Sequence, residues 1–281
     1  MKFSFYKIIF FFLIFIFFVS IIHFIFKINY ISLNNYEETR FINKQLQGIE
    51  CIDKKVVLLE EQGNISFLNK KFIKIVSSFY RPSANKIKEK NILSHPNSLL
   101  VLEDGTAYAS NTFTRLPAKI VKFNFNKLIS DANLLEKNIQ NIFRNEYVRS
   151  IHLEKINYNN KEKILKAEKR FNSKYYNFTI NDINLNVEKC LLQINEKFIQ
   201  NLYWDNKNSL YIIKNLIGKR GGILKTYNFF KMNKDCPEIN KGKIIIYLTD
   251  MELEGYITCN GNEYLIFIDD KDSIIYKKSL I

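Results

Sequence analysis

Short apolar runs separated by polar turns fill the chain beyond residue 47, and this pattern predicts strands. The clearest example runs from His95 to Asn111, where an apolar run, an Asp-Gly pair and a second apolar run follow one another. Asp104-Gly105 predicts a tight hairpin turn, because both residues tolerate the positive φ that such a turn requires. The hairpin would bring Asn97 close to Asn111.

The same strand and turn pattern recurs elsewhere in the chain. Gly48 to Ile52 and Glu254 to Cys259 open two similar units, and Asn97 and Asn201 open two more. The offsets from Glu50 to Asn97 and from Asn97 to Asn201 are 47 and 104 residues, the second being about twice the first. A period near 50 residues made of short strands is typical of propeller blades. We therefore predict an all-β β-propeller of five to six blades over residues 48–281.

One segment departs from the strand pattern. Between Asn126 and Arg149, apolar residues from Leu128 to Ile142 recur at spacings compatible with a helix. We interpret this segment as a helical insertion between strand units.

The N-terminus carries a different pattern, a continuous apolar run from Ile8 to Phe26 with lysines on both sides. Nineteen residues in a helix nearly cross the hydrocarbon core of a bilayer. No small-residue cleavage pattern follows, so the run predicts an uncleaved signal anchor rather than a signal peptide. Residues 1–27 would form a cytoplasmic stub and a transmembrane helix, and residues 28–47 a tether in which Ile28 to Leu33 could form one strand. The bulk of the chain would lie on the periplasmic or extracellular side of the cell membrane.

Composition narrows the function classes. The formal net charge is +14, but the lysines are scattered through a chain that is also rich in Asn, Ile, Phe and Tyr. A nucleic-acid surface would cluster them on one element, so we expect no nucleic-acid partner. The four cysteines show no CxxC spacing, which argues against a zinc site. In an exported domain Cys51 and Cys259 are the best-placed pair for a disulfide, and buried free thiols are the alternative.

Candidate chemistry comes from the residues that open the repeated units. In a propeller, such residues converge on the central channel, and Glu50, Asn97 and Asn201 would do so from three blades. One carboxylate and two amide oxygens suit Ca²⁺, which could act as a Lewis acid on a carbonyl or phosphoryl oxygen. Asn is also common at turns before strands, where its side chain bonds nearby backbone, so a purely local role is the alternative.

Three segments resemble the paraoxonase and arylesterase family of calcium-dependent propeller hydrolases. NSLLVLEDGTAYASN is similar to a blade-opening segment of that family, GIECID to its early glutamate segment, and Gln200-Asn201 with Tyr203-Trp204-Asp205 to its Asp-Asn segment. The resemblance implies calcium ligation by Glu50, Asn97 and Asn201, and hydrolysis of small-molecule esters or lactones. Gluconolactonase and strictosidine synthase-like propellers fit nearly as well.

The sequence also suggests a general base and leaves two other classes of function open. His95, two residues before Asn97, could act as the base, with a turn histidine before Pro96 as the alternative. Gln200 and Ser98 stand where the family has acidic residues. The second hypothesis is therefore a non-catalytic propeller that binds an envelope protein. A third is an envelope-assembly protein with one membrane span and a small mixed α/β domain.

Overall fold

The computed structural model describes residues 2–26, 28–61, 64–69, 72–78, 96–111, 117–130, 139–196, 199–205, 209–215, 222–232 and 237–280. The chain opens with one helix and two short strands that flank a single 3-10 turn. These are α1 (Lys2–Phe26), β1 (Ile28–Ile31), the 3-10 turn (Leu33–Asn35) and β2 (Glu37–Phe41).

Three consecutive four-stranded sheets follow, each built from antiparallel neighbours in chain order. Blade 1 consists of β3 (Leu46–Ile52), β4 (Lys55–Glu60), β5 (Asn64–Asn69) and β6 (Phe72–Ser78). Blade 2 consists of β7 (Pro96–Val101), β8 (Thr106–Asn111), β9 (Ala118–Asn124) and, after the short helix α2 (Phe125–Ser130), β10 (Ile139–Asn145). Blade 3 consists of β11 (Val148–Tyr158), β12 (Lys161–Arg170), β13 (Tyr176–Asn181) and β14 (Val187–Ile194).

The last two blades take in the N-terminal strands. In blade 4, β1 adds a fifth strand parallel to β18, and in blade 5 the outermost strand is β2, antiparallel to β21. The ring is therefore closed by a strand from the start of the chain. Blade 4 contains β15 (Asn201–Trp204), β16 (Ser209–Asn215), β17 (Gly222–Met232) and β18 (Pro237–Tyr247), and blade 5 contains β19 (Glu252–Cys259), β20 (Asn262–Asp269) and β21 (Asp272–Ser279).

The first strand of each blade lies at the centre of the molecule. These inner strands contact one another in the closed order β3, β7, β11, β15, β19 and back to β3. The fold is thus an all-β propeller of five blades, which confirms the predicted architecture and sets the blade number at the lower predicted value.

Five apolar clusters hold the blades together, one for each pair of neighbouring blades. Between blades 1 and 2, for example, Leu59 packs in one cluster with Leu99 and Phe123, all of them buried. Alternation along each strand directs one set of apolar side chains to the preceding blade and the other set to the following blade. This explains why so many strands here read as nearly continuous apolar runs.

Small residues allow the inner strands to approach. Gly48 and Gly255 occupy the same register position in blades 1 and 5, directly after a register shift in the inner strand. A Cβ at Gly255 would lie 2.7 Å from Cγ2 of Ile49, and a Cβ at Gly48 would lie 3.0 Å from the carbonyl oxygen of Asn97. The alignment of these two glycines confirms the repeat seen in the sequence.

A disulfide joins Cys51 to Cys259 and links the inner strands of blades 1 and 5. The pairing expected for an exported domain is therefore present, and the alternative of two buried free thiols is wrong for these residues. Disulfides persist mainly in oxidising compartments.

The hairpin between β7 and β8 is confirmed, with a longer turn than predicted. Leu102 and Thr106 are still joined by a backbone hydrogen bond, so three residues form the loop, and Gly105 supplies the positive φ of 82°. Asn97 and Asn111 lie at neighbouring register positions at the open end of this hairpin, as expected.

Two sequence interpretations need correction. The strand expected at the start of segment 28–47 is present as β1, but the segment is not a simple tether, because β1 and β2 are built into blades 4 and 5. Of the helix expected between Asn126 and Arg149, the described residues show α2, whereas Ile139 and Ile142 belong to strand β10, which pairs with β9. Residues 131–138 lie outside the described part of the chain. In the described part of this segment, pairing with a neighbouring strand overrides the helical spacing of the apolar residues.

The N-terminal run forms helix α1, whose described apolar side chains are largely exposed. Across the residues that the structure describes, no helix meets the length and apolarity needed to span a membrane. The predicted transmembrane helix is therefore not supported by the structure.

Candidate active site

A ring of polar residues lies where the inner strands begin. In four inner strands the register shifts at one residue, which bulges from the ladder, and in the fifth Gln200 precedes β15 at the corresponding place. Bulges of this kind re-aim side chains. The five residues are Gln47, Asn97, Arg149, Gln200 and Glu254.

Hydrogen bonds link Asn97, Gln200 and Glu254, and His152 of β11 joins them through Asn97. Nδ2 of Asn97 donates to Nδ1 of His152 at 2.8 Å and to the carbonyl oxygen of Gln200 at 3.2 Å. Nε2 of Gln200 donates to Oε1 of Glu254 at 2.9 Å. Blades 2, 3, 4 and 5 are thereby joined through one polar network.

His152 is a neutral member of this network. Burial lowers its pKa to about 3, so the ring carries no charge at neutral pH. Because Nδ1 accepts from Asn97, the ring proton lies on Nε2, which faces Oγ of Ser150 at 3.3 Å. His152 is therefore a structural acceptor here rather than a ready base.

Glu254 makes stability depend on pH at this end of the channel. Burial, followed by the charge of Glu252, raises its pKa to about 8, so the folded state holds a proton that the unfolded state has released. The free energy of unfolding that the Glu254 proton contributes is fully present below the pKa of the unfolded state, near 4.3, and is lost as pH rises through about 8.

We expect the free energy of unfolding to fall less steeply between pH 5 and pH 8 in Glu254→Gln than in the wild type, as measured by urea denaturation. An unchanged slope in the variant would contradict this assignment.

The three calcium ligands predicted from the sequence lie at different heights along the channel. Asn97 and Asn201 lie at the beginning of their strands, whereas Glu50 lies three residues beyond the bulge of its own strand, about 10 Å further along. Oδ1 of Asn201 accepts from the N–H of Leu202, whereas Oδ1 of Asn97 is buried without a partner among the described residues. The three residues do not favour one shared ion site, and calcium ligation by them stays a prediction. The predicted base, His95, lies outside the described residues.

A metal centre built from more acidic ligands is also not visible. Within the described part of the chain, no three side chains of His, Cys, Asp or Glu come together in a way that could hold a metal ion.

The opposite end of the channel opens into a cavity of about 1110 Å³. It lies where the inner strands end, and all five blades contribute to its wall. Four glutamates line it, while Lys155 is its one lining cation among the described residues. This acidic lining contrasts with the net charge of +14 of the whole chain. The glutamates are Glu50, Glu103, Glu154 and Glu162.

Glu50 and Glu154 occupy the inner strands of blades 1 and 3. Oε1 of Glu50 accepts from the N–H of Cys51 at 3.0 Å, and Oε1 of Glu154 accepts from the N–H of Trp204 at 2.9 Å. Each carboxyl group is therefore held by a backbone donor through one oxygen. Glu154 is 6% exposed.

Both carboxyl groups bind protons unusually tightly. Burial raises the pKa of Glu50 to about 7. Burial, and next the negative charge of Glu50, raises the pKa of Glu154 well above its ordinary value. Because the two groups repel each other when both are ionised, they titrate as a pair, and near neutral pH at least one of them keeps its proton.

The rest of the wall suits a polar ligand with apolar faces. Tyr158, Tyr203 and Trp204 supply aromatic rings, and Thr258 and four asparagines supply hydrogen-bonding groups. Burial is the main cause of a raised pKa at Glu162, which accepts from the N–H of Glu103 at 3.2 Å. The asparagines are Asn157, Asn159, Asn160 and Asn260.

Sequence reasoning selected Glu50 as a channel residue but missed Glu154. Glu154 lies between Leu153 and Lys155 in β11, and its burial follows from the packing of blade 3 against blade 4. The available signal was the Glu154-Lys155 pair between the apolar residues of the stretch SIHLEKI.

Comparison with known proteins supports the fold. No protein-family model matches the chain, and no curated protein matches it. Among solved structures, an exo-β-1,3-galactanase from Phanerochaete chrysosporium, with galactose, has a TM-score of 0.51 at 6% identity, covering 84% of this chain and 59% of that one. A glycosyl hydrolase from Bacteroides ovatus has a TM-score of 0.47 at 9% identity, covering 87% and 85%. A glucose dehydrogenase-like protein from Thermus thermophilus has a TM-score of 0.48 at 9% identity, covering 86% and 100%.

The similarity to the galactanase supports the fold alone, and no comparison confirms the paraoxonase-like family. Widely used folds host many unrelated activities. Function must therefore be argued from the site.

Proposed function

We propose that the protein is a hydrolase that cleaves glycosidic bonds with Glu50 and Glu154 as its acid and base pair. The observation that carries this proposal is the pair of carboxyl groups in one cavity, both with raised pKa. Hydrolysis of an acetal needs one carboxylic acid to protonate the leaving oxygen and one carboxylate to assist water or the sugar carbon. A raised pKa keeps the acid protonated at the working pH.

The roles are assigned from the burial of the two carboxyl groups. Glu154 is 6% exposed, whereas Glu50 is half-buried, so Glu154 is assigned as the acid that donates its proton to the leaving oxygen as the bond to the sugar carbon breaks. Glu50, once ionised, accepts a proton from the water that attacks this carbon. The cycle leaves Glu154 ionised and Glu50 protonated, and exchange with solvent restores the starting state.

The lining explains how a sugar would be held. Tyr203 and Trp204 border the cavity beside Glu154, and aromatic rings pack against the apolar faces of sugars. Asparagine side chains on the wall can both donate to and accept from hydroxyl groups. The cavity is of the size that buries small ligands.

A substrate panel tests this proposal. We expect the full-length protein to release aryl alcohol from at least one aryl glycoside, and Glu50→Gln/Glu154→Gln to abolish that release. Glu146→Gln is the control, because Glu146 is exposed and pairs with the equally exposed Arg144 near the start of blade 3. Turnover of aryl esters or lactones alone would contradict the glycosidase proposal.

Ester or lactone hydrolysis with calcium, as the sequence resemblance implies, is a second candidate. The buried and unpartnered Oδ1 of Asn97 favours it, because such an oxygen could accept a cation. A calcium-dependent rise in melting temperature that disappears in Asn97→Ala would support this candidate. If esterase turnover and glycosidase turnover are both absent, the non-catalytic binding module becomes the better description.

We further propose that α1 anchors the propeller in the cell membrane, with the propeller on the periplasmic or extracellular side. The apolar run of the sequence, its flanking lysines and the exposure of Phe10, Phe11 and Phe15 support this anchor. The disulfide supports an oxidising compartment. Release of the full-length protein from membranes by alkaline carbonate would contradict the anchor.

A further inference from the structure

The hairpin of β11 and β12 extends the blade 3 side of the acidic cavity. From its bulged residue to its end, β11 runs from Arg149 to Tyr158, whereas β3 runs only from Gln47 to Ile52. Inner strands end at the cavity, so the extra length of β11 lies there. This hairpin therefore carries more of the cavity wall than the inner strand of blade 1 does.

The hairpin presents polar groups towards both neighbouring blades. Side chains alternate along a strand, so Glu154 points towards blade 4, whose backbone holds it, and Lys155 points towards blade 2. Glu162 shares the face of Lys155, because it pairs with Asn157 in the ladder. The two carboxylate oxygens of Glu162 accept from the N–H of Glu103 in blade 2 at 3.2 Å and 3.3 Å. The cavity thus has a second carboxylate pair between blades 2 and 3.

The cavity keeps an excess of negative charge in every protonation state of the proposed acid and base pair. When both groups of that pair are protonated, Glu103 and Glu162 still face one cation, Lys155, among the described lining residues. Nζ of Lys155 lies 3.9 Å from Oε1 of Glu162, and this lysine side chain is 46% exposed. Asp104 adds a further negative charge that acts on Glu162. A cationic group on a ligand would balance this excess.

A second feature of the wall points to a ligand. Glu154 is 6% exposed and lines the cavity, and backbone bonding occupies one of its oxygens. Its other oxygen has no hydrogen-bond partner among the described residues. Buried polar groups are normally paired, so a ligand group is needed to complete the bonding of this carboxyl group. Tyr158 and Trp204 bring aromatic rings to the same wall, and such rings attract cations and also pack on sugar faces.

We propose that the cavity binds sugars that carry a free, protonated amino group, and that Glu103 and Glu162 hold this ammonium group. The inference deepens the proposed function and rests on it in taking the ligand to be a sugar. An ammonium group donates three hydrogen bonds, and those to a carboxylate are strengthened by charge. Acetylation of the amine removes the charge and two of the donors, so an N-acetylated sugar would be bound more weakly. A sugar carboxylate would be repelled.

Ligand titrations on the full-length protein test this proposal. The probes are aryl 1-thioglycosides of both anomers in the gluco and galacto series, because their sulfur linkage resists hydrolysis. Each matched set carries an amine, an acetamide or a hydroxyl group at C2 or at C6. At pH 6, where the amine is protonated, we expect at least one amino probe to bind about tenfold more tightly than its two matched probes, as a hydrogen bond to a charged group allows. Isothermal titration calorimetry measures the dissociation constants.

Two variants locate the ammonium group. Glu103→Gln/Glu162→Gln should reduce the preference for the amine to less than about twofold, because the amides carry no charge, while its circular dichroism spectrum stays that of the wild type. Glu146→Gln should keep the full preference. The proposal is overturned if no matched set shows a preference for the amine, or if the preference persists in Glu103→Gln/Glu162→Gln. Spermine binding as tightly as the best amino probe would also overturn it, because charge alone would then be recognised.

The binding measurement separates this inference from the proposed hydrolysis. A preference for the amine in a protein that turns over no aryl glycoside would retain this inference and reject the proposed function. Turnover of aryl glycosides without a preference for the amine would retain the proposed function and reject this inference.

Discussion

Glu154→Gln should lower kcat for glycoside hydrolysis by about 10²–10⁴-fold, the range expected for loss of a general acid. The amide still offers an oxygen to the N–H of Trp204, so the fold around it is retained. It has no carboxylic proton to give to the leaving oxygen. The measurement is kcat on the aryl glycoside found in the panel, with Glu146→Gln as the unaffected control.

Leaving-group chemistry separates a lost acid from general damage to the site. A glycoside with a very acidic aryl alcohol needs little protonation, so Glu154→Gln should recover most of its rate on that substrate. Glu50→Gln should stay slow on both substrates, because its role is on the other side of the reacting carbon. Equal losses for Glu154→Gln on both substrates would contradict the acid role.

Glu196→Ala is expected to cause the largest loss of stability, about 3–5 kcal/mol. Glu196 follows β14, and its carboxylate accepts hydrogen bonds from Nζ of Lys214 at 2.7 Å and from Nζ of Lys225 at 2.6 Å. The carboxylate side chain is 7% exposed, and the two lysine side chains are 19% and 17% exposed. Removing the carboxylate leaves two poorly solvated cations beside each other. Urea denaturation of the variant and the wild type measures the difference.

The pH dependence of this ion cluster has a definite sign. Burial opposes ionisation of Glu196, but the hydrogen bonds and charges of Lys214 and Lys225 outweigh it and lower the pKa. Its stabilisation is present above the unfolded pKa, near 4.3, and is lost as pH falls through the lower folded pKa. The loss in Glu196→Ala should therefore shrink in acid.

Two comparisons sharpen the Glu196 test. Glu146→Ala, which breaks the exposed ion pair with Arg144, should cost less than about 1 kcal/mol. Glu196→Leu combined with Lys214→Met and Lys225→Met should recover much of the lost stability, because no charge is left unpaired. A loss in Glu196→Ala no larger than that in Glu146→Ala would contradict the buried cluster.

Local signals in the sequence were sufficient to predict the propeller. The Asp104-Gly105 turn and the matched glycines of GIECI and GYITC depend on backbone conformation and on close strand approach. The positive φ is a property of one turn, and the close strand approach recurs at the same position of two blades. Both therefore leave a glycine that can be recognised in the sequence. The closure of the ring by β2 was missed because this strand is short and pairs with β21, more than 200 residues away. A strand at the position of β1 was expected, but its pairing with β18 is equally distant in sequence.

Of the two carboxyl groups of the candidate site, the sequence identified one, because long-range packing brings the other to the cavity. Glu50 was noticed because it opens a repeat, yet its partner Glu154 is brought to the cavity by the arrangement of blades 1, 3 and 4. The raised pKa of both groups arises from burial, which a sequence does not display. Asn97 was also singled out by the repeat, and its hydrogen bonds link blades 2, 3 and 4, while its role as a calcium ligand stays a prediction.

The pH dependence of kcat/KM for glycoside hydrolysis tests the central claim most directly. The account predicts a bell-shaped profile with an ascending limb near pH 7, from ionisation of Glu50, and a descending limb at higher pH, from loss of the Glu154 proton. Glu154→Gln should remove the descending limb. A profile that is flat from pH 5 to pH 9, or one that keeps both limbs in Glu154→Gln, would contradict the assignment of this carboxyl pair as the catalytic groups.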